Sequence, residues 1–180
     1  MIARRLPGDP PAPTRFDRMI RVDHAGEYGA KRIYAGQMAV LKHHTSAPLI
    51  EHMAKQEEKH LAFFEKAIAE RGVRPTLLHP LWHAAGYALG AATALMGPRA
   101  AMACTEAVED VIDRHYGDQL KQLGDSDPEL SAAITEFRGE EAEHRATALE
   151  QGAEQATGYP ILSAIIKTGC RLAIKAAERI

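Results

Sequence analysis

A chain of 180 residues with 46% hydrophobic and 26% charged side chains is one folded domain with a real core. Its formal net charge of −2 gives no electrostatic footprint for nucleic acid. The two cysteines, Cys104 and Cys170, form no Cys-x-x-Cys pair, which excludes a rubredoxin-type or zinc-ribbon site and fits a reducing compartment. Only 6% of residues are aromatic, and alanine and long polar side chains are plentiful, which favours helices over sheets.

Residues 1–16 carry basic residues and four prolines but no apolar run, so they read as a flexible lead and not as a secretory signal. Six helices follow, at about 17–43, 48–71, 77–96, 98–123, 128–157 and 160–178. Gly72 and Pro75 stop the second and Gly97-Pro98 closes the third. Pro98 opens the fourth and Gly124 ends it, Asp127 caps the fifth, and Gly158-Tyr159-Pro160 introduces the sixth. Everything from residue 17 onward reads as a single all-α domain.

Four of these helices carry stripes with steps of three and four, the pattern of a buried bundle seam. The first repeats Ile20, Glu27, Tyr34 and Leu41; the second runs Ile50, Met53, Glu57, His60, Phe64 and Ala67. The fourth has Met102, Glu109, Ile112, Tyr116 and Leu123, and the fifth Leu130, Ile134, Phe137, Glu141, His144 and Ala148. Glutamate and histidine therefore interrupt faces that point into the core. A carboxylate there must be protonated, paired or bound to a cation, and no lysine or arginine shares those stripes.

The spacing points to cations. Glu57 and His60, like Glu141 and His144, stand three apart and leave one helix face together. Glu27 precedes the first pair by 30 positions and Glu109 the second by 32, so the second half repeats the first, displaced by 82 to 84 residues. One glutamate from each of two helices plus Glu-x-x-His from each of two others is the ligand set of a ferritin-like di-metal four-helix bundle. Mixed oxygen and nitrogen donors suit iron or manganese better than calcium. Glu106 rivals Glu109, one turn away, but Glu109 keeps the two halves alike. Glu140 neighbours His144 but breaks the stripe, and Glu58 and Glu143 point to solvent. Tyr34 and Tyr116 sit two turns beyond Glu27 and Glu109, as ordinary core residues or as partners of the site. Asp23 and Asp113 are placed to orient a ligand histidine, His24 reads as a capping or surface residue, and His115 with Tyr116 forms a candidate relay for protons or electrons.

The run from Arg21 to Ala30, RVDHAGEYGA, continues Arg32-Ile33-Tyr34-Ala35-Gly36-Gln37. With Ala103-Cys104-Thr105 through Glu109, His115-Tyr116, Glu140-Glu141-x-x-His144 and Gly169-Cys170-Arg171-Leu172-Ala173-Ile174, it closely resembles the demethoxyubiquinone hydroxylase family, from about Phe16 onward. The resemblance implies a di-iron monooxygenase that hydroxylates the ring of a demethoxyubiquinol with dioxygen in ubiquinone biosynthesis. It implies two irons held by Glu27, Glu57, His60, Glu109, Glu141 and His144, with Glu57 and Glu141 bridging. It also implies electrons delivered ultimately from NADH, although no Gly-rich nicotinamide motif is visible, and a lipid-binding accessory protein as partner.

A polyprenyl quinol lives in the bilayer. The third helix lacks Asp, Glu, Lys and Arg, but its prolines, histidines and glycines make it a poor spanning segment. The sixth alternates Ile161, Leu162, Ile165 and Ile166 with Lys167, Arg171 and Lys175, as an interfacial amphipathic helix does. The two extra helices are expected to pack together beside the open end of the site, leaving a tunnel for the tail, or else to cover the bundle or pair with a second copy. A peripheral protein on the cytoplasmic face of a bacterial inner membrane is the expected setting. The competing readings are a ferritin-like iron store or peroxide scavenger, a di-iron hydroxylase acting on transfer RNA, and a metal-free helical scaffold.

Overall fold

The computed structural model describes residues 14–180, all of whose regular structure is helical. The first helix begins at Arg15, two residues before the expected start at about 17. Thr14 caps α1 (Arg15–Leu41) through a capping box: its hydroxyl accepts from the Asp17 N–H at 3.0 Å, and Asp17 accepts from the Thr14 N–H at 2.6 Å. Residues 1–13 of the lead lie outside the described residues.

The remaining helices are α2 (Ala47–Arg71), α3 (His79–Leu95), α4 (Pro98–Leu123), α5 (Pro128–Glu150) and α6 (Tyr159–Ala177). α5 stops seven residues before the expected Thr157. Gly152 takes φ 85°, a left-handed conformation that breaks the helix, and a single 3-10 turn (Ala153–Gln155) follows. That turn buries Ala153, and Ala156 after it is buried too.

α1, α2, α4 and α5 form the bundle. One apolar layer gathers Tyr34, Leu41, Ile50, Met53, Met102 and Ala148. A second gathers Ile20, Phe64, Tyr116, Leu130, Ile134 and Phe137. The stripe glutamates and histidines lie between these layers in sequence, so hydrocarbon closes the site from both ends.

α3 lies along α1, and glycine makes that contact possible. A Cβ at Gly90 would fall 1.9 Å from the Ile33 carbonyl oxygen, and one at Gly36 would fall 2.2 Å from that of Tyr87. Gly90 is therefore a packing residue, not merely a flaw in a spanning helix. α6 lies along α4 instead. The expectation that α3 and α6 pack together fails: their Cα atoms nowhere approach within 8 Å. They flank a groove of about 380 Å³ whose walls include Ile33, Trp82, Leu89, Ile112, Ile165, Ile166 and Ile174. Among the described residues, no helix is long and apolar enough to cross a membrane.

Candidate metal centre

Burial and distance converge on the six stripe residues. Glu27, Glu57, His60, Glu109, Glu141 and His144 are each at most 3% exposed. Glu27, Glu57, His60 and Glu141 bring one ligand atom each to within 4.8 Å of one another. Glu57, Glu109, Glu141 and His144 do the same. The two sets share Glu57 and Glu141, so four helices supply two adjacent positions with two carboxylates common to both.

The histidines turn Nδ1 inward. His60 Nδ1 lies 3.2 Å from Glu141 Oε1 and 3.4 Å from Glu27 Oε2; His144 Nδ1 lies 3.0 Å from Glu141 Oε2 and 3.3 Å from Glu57 Oε1. Even so, both Glu57 oxygens and His60 Nδ1 are buried without a hydrogen-bond partner. Orphaned carboxylate oxygens facing an orphaned imidazole nitrogen are costly unless a cation takes their lone pairs. This donor set, with four carboxylates and two imidazoles, fits two divalent transition-metal ions.

The electrostatics show the same frustration. Burial, then Glu141 and Glu27, hold the Glu57 carboxyl well above the ordinary range; burial and Glu141 do so for Glu109. Burial also raises Glu27. Burial disfavours charge on His60, but the carboxylates of Glu141 and Glu27 outweigh it and lift its pKa to about 10. Burial would raise Glu141 too; the adjacent imidazoles of His144 and His60 instead hold it down to about 2.

Other residues brace the six. Tyr116 donates to Glu27 from α4, and Tyr34 donates to Glu109 from α1 at 3.2 Å, so both tyrosines reach across the bundle to the ligand of the other half. On the far side of each imidazole, Glu140 Oε2 lies 2.7 Å from His60 Nε2, and Gln56 Oε1 lies 3.0 Å from His144 Nε2. Glu140, set aside in the sequence as stripe-breaking, is thus a partner of the opposite histidine. Gln56 was missed. The signal was present, since each residue immediately precedes a shared glutamate and an 84-residue shift superposes them.

Several candidates are placed elsewhere. Glu106 is buried away from the two sets and accepts from Tyr159 (3.0 Å), Lys167 (3.1 Å) and Ser163 (3.3 Å), which tie α6 to α4, and from Arg145 of α5 (3.4 Å). Lys167 therefore turns inward and leaves the expected basic face to Arg171 and Lys175, both exposed. Asp113 pairs with Arg138 at 2.7 Å and orients no ligand histidine. Asp23 contacts His115 (3.2 Å) and Gln119 (2.7 Å), not His60 or His144. His24 is buried, not a surface or capping residue; its ring stacks toward His79 at 6.0 Å. Glu58 and Glu143 are exposed, as expected. His115 and Tyr116 are adjacent, with ring centroids 6.3 Å apart, and His115 borders a second, polar cleft of about 570 Å³ lined also by Arg15, Arg18 and Arg179.

Comparison with known proteins decides the family. Residues 14–177 match the family described as ubiquinone biosynthesis protein COQ7. The chain belongs to that family. It is 55% identical over 177 residues to the 3-demethoxyubiquinol 3-hydroxylase of Rhodospirillum rubrum, covering 98% of this chain and 84% of that one. It is 52% identical over 168 residues to the human mitochondrial NADPH-dependent 3-demethoxyubiquinone 3-hydroxylase, with 91% and 77% covered. Against the mitochondrial 5-demethoxyubiquinone hydroxylase of Saccharomyces cerevisiae it is 46% identical over 182 residues, with 92% and 78% covered.

Proposed function

We propose that this chain is an oxygen-dependent di-iron monooxygenase that hydroxylates the ring of a demethoxyubiquinol. The observation that carries the reading is the pair of overlapping buried ligand sets beside an apolar groove. Glu57 and Glu141 serve both positions; Glu27 and His60 complete one, Glu109 and His144 the other. Bound there, two irons supply the redox equivalents and the activation of dioxygen.

The chain's own residues do the rest. Gly26 and Val108, on the groove wall, immediately precede Glu27 and Glu109, so the groove runs along the same turns of α1 and α4 that carry these two ligands. Ile33, Leu89, Val108 and Ile166 keep water from those turns, and the groove between α3 and α6 lets an isoprenoid tail leave the bundle sideways. Tyr34 and Tyr116 hold the outer carboxylates in register. The Asp23–His115 pair holds a proton at the edge of the polar cleft: burial opposes charge on His115, and Asp23 restores it. Arg15, Arg18 and Arg179 outnumber Asp118 and Glu178 in that cleft and suit the phosphates of NADH or its phosphorylated analogue as ultimate electron donor, with no Gly-rich loop required.

The substrate also dictates where the protein works. Leu77, Leu81, Leu95, Met96, Ile161, Ile165 and Leu172 are each more than half exposed, all on or beside α3 and α6, the helices that flank the groove. Arg171 and Lys175 lie exposed on the same α6. This is an interfacial surface for the cytoplasmic face of a bacterial inner membrane. A lipid-binding accessory protein of the pathway, or a second copy, would meet the same face.

The test uses iron-loaded protein, a short-tailed demethoxyquinol and ¹⁸O-labelled dioxygen, with mass analysis of the product. One labelled oxygen on the ring supports the reading. Iron uptake or peroxide consumption with an unchanged quinol supports the store or scavenger instead.

A further inference from the structure

The two halves of the site follow one plan and differ at a single partner of the ligands. The shift of 84 that carries Glu57 and His60 onto Glu141 and His144 also carries Gln56 onto Glu140. Each of these reaches the outer nitrogen of the other hairpin's histidine, Glu140 at 2.7 Å from His60 Nε2 and Gln56 at 3.0 Å from His144 Nε2. An imidazole that gives its Nδ1 lone pair to a cation carries its hydrogen on Nε2. Both rings then donate outward, but His60 donates to a carboxylate and His144 to a neutral amide oxygen. A charged acceptor makes the shorter and stronger hydrogen bond and leaves the ring a better electron donor to the metal.

Lys59 at 3.0 Å is the counter-ion of Glu140, yet it also serves Glu136 at 2.5 Å and is about half exposed, so solvent screens much of its charge. Glu140 itself is 20% exposed and lies against the fully buried His60 ring. The carboxylate's field therefore acts mainly inward, on one metal position.

We infer that Glu140, set against Gln56, makes the two metal positions unequal, so that the position of Glu27 and His60 binds a divalent transition metal more tightly than the position of Glu109 and His144. Glu140 is a positioning residue that acts through His60. The inference rests on the di-metal reading of the site.

Two variants isolate the positions: Glu109→Ala leaves the His60 position, and Glu27→Ala leaves the His144 position. Each full-length variant, stripped of metal, is titrated with Co(II) alone and followed by its visible absorption, which reports the ligand field as well as occupancy. The expected result is roughly tenfold or greater tighter binding in Glu109→Ala. Adding Glu140→Gln, which removes the charge and keeps the shape, should abolish that advantage and shift the Co(II) bands, and adding it to Glu27→Ala should change neither. Adding Gln56→Glu to Glu27→Ala should tighten that position in turn. Equal affinities in the two parent variants, or an advantage that survives Glu140→Gln, would overturn the inference while leaving the di-metal reading intact. Failure of the unmodified chain to bind Co(II) at all would overturn both.

Discussion

The hairpin α1–α2 and the hairpin α4–α5 carry the same ligands and surround them with different things. At the site they match closely. Tyr34 and Tyr116 are 82 residues apart and each braces the other half's glutamate. Gln37 and Gln119, also 82 apart, reach Thr105 and Asp23, again an 82-residue pair. On neighbouring helix faces the match ends: His24 corresponds to Glu106, and Ile33 to His115. Symmetry persists where the two ligand sets meet and lapses where each hairpin has separate work. The first hairpin accepts α3 through glycine contacts. The second anchors α6 through Glu106 and opens the polar cleft at His115.

The largest break of this symmetry comes from the shared carboxylates. Glu57→Ala or Glu141→Ala removes a ligand from both positions, so turnover should fall at least about a hundredfold, since even outer partners of ligands are worth ten- to hundredfold. Next is the unequal pair His24 and Glu106. Glu106→Ala takes from Tyr159 and Ser163 their acceptor and leaves Lys167 only Asp110 at 3.2 Å, so it should cost roughly 2–3 kcal/mol, with α6 becoming sensitive to limited proteolysis. His24→Ala, lacking such a cluster, should cost about 1 kcal/mol and leave α6 protected. Tyr116→Phe and Tyr34→Phe should each cost about 1–2 kcal/mol of metal binding, at the Glu27 and Glu109 positions respectively. An effect of either on the wrong position would break the crossed bracing.

A pH series sharpens the comparison between metal-free and loaded protein. Glu57 and Glu109 sit well above the ordinary carboxylate range, for the reasons of burial and mutual repulsion, so the folded metal-free chain holds more protons than the unfolded one. Their contribution is complete below the ordinary glutamate range and is lost as pH rises through the raised values. His60, at about 10, acts in the same direction, and Glu141, at about 2, already contributes fully above the unfolded value of 4.5. Metal replaces those protons. The rise in Tm on loading should therefore be larger at pH 8 than at pH 5.5. The smallest effects belong to Glu58→Gln and Glu143→Gln, within about 0.5 kcal/mol by thermal melts.

What could be read in the residues was whatever repeated along the chain. The stripes of α2 and α5 placed Glu57, His60, Glu141 and His144 together because a helix face is a fixed period. Contacts across the bundle follow no such period: Tyr116 to Glu27, Glu140 to His60 and Lys167 to Glu106 span 89, 80 and 61 residues. The separation of α3 from α6 was equally hidden. It depends on Gly36 and Gly90 admitting α3 to the α1 surface, which only the approach of two backbones reveals. Asp113 and Asp23 misled because one turn from a ligand on the same helix can still face a different neighbour.

Iron per chain, measured after anaerobic loading of the unmodified protein and three variants, tests the central claim most directly. Two overlapping positions with shared carboxylates predict two irons in the unmodified chain, one in Glu27→Ala, one in Glu109→Ala and none held tightly in Glu57→Ala. No iron in the unmodified chain, or two irons retained in Glu57→Ala with the fold intact, would contradict it.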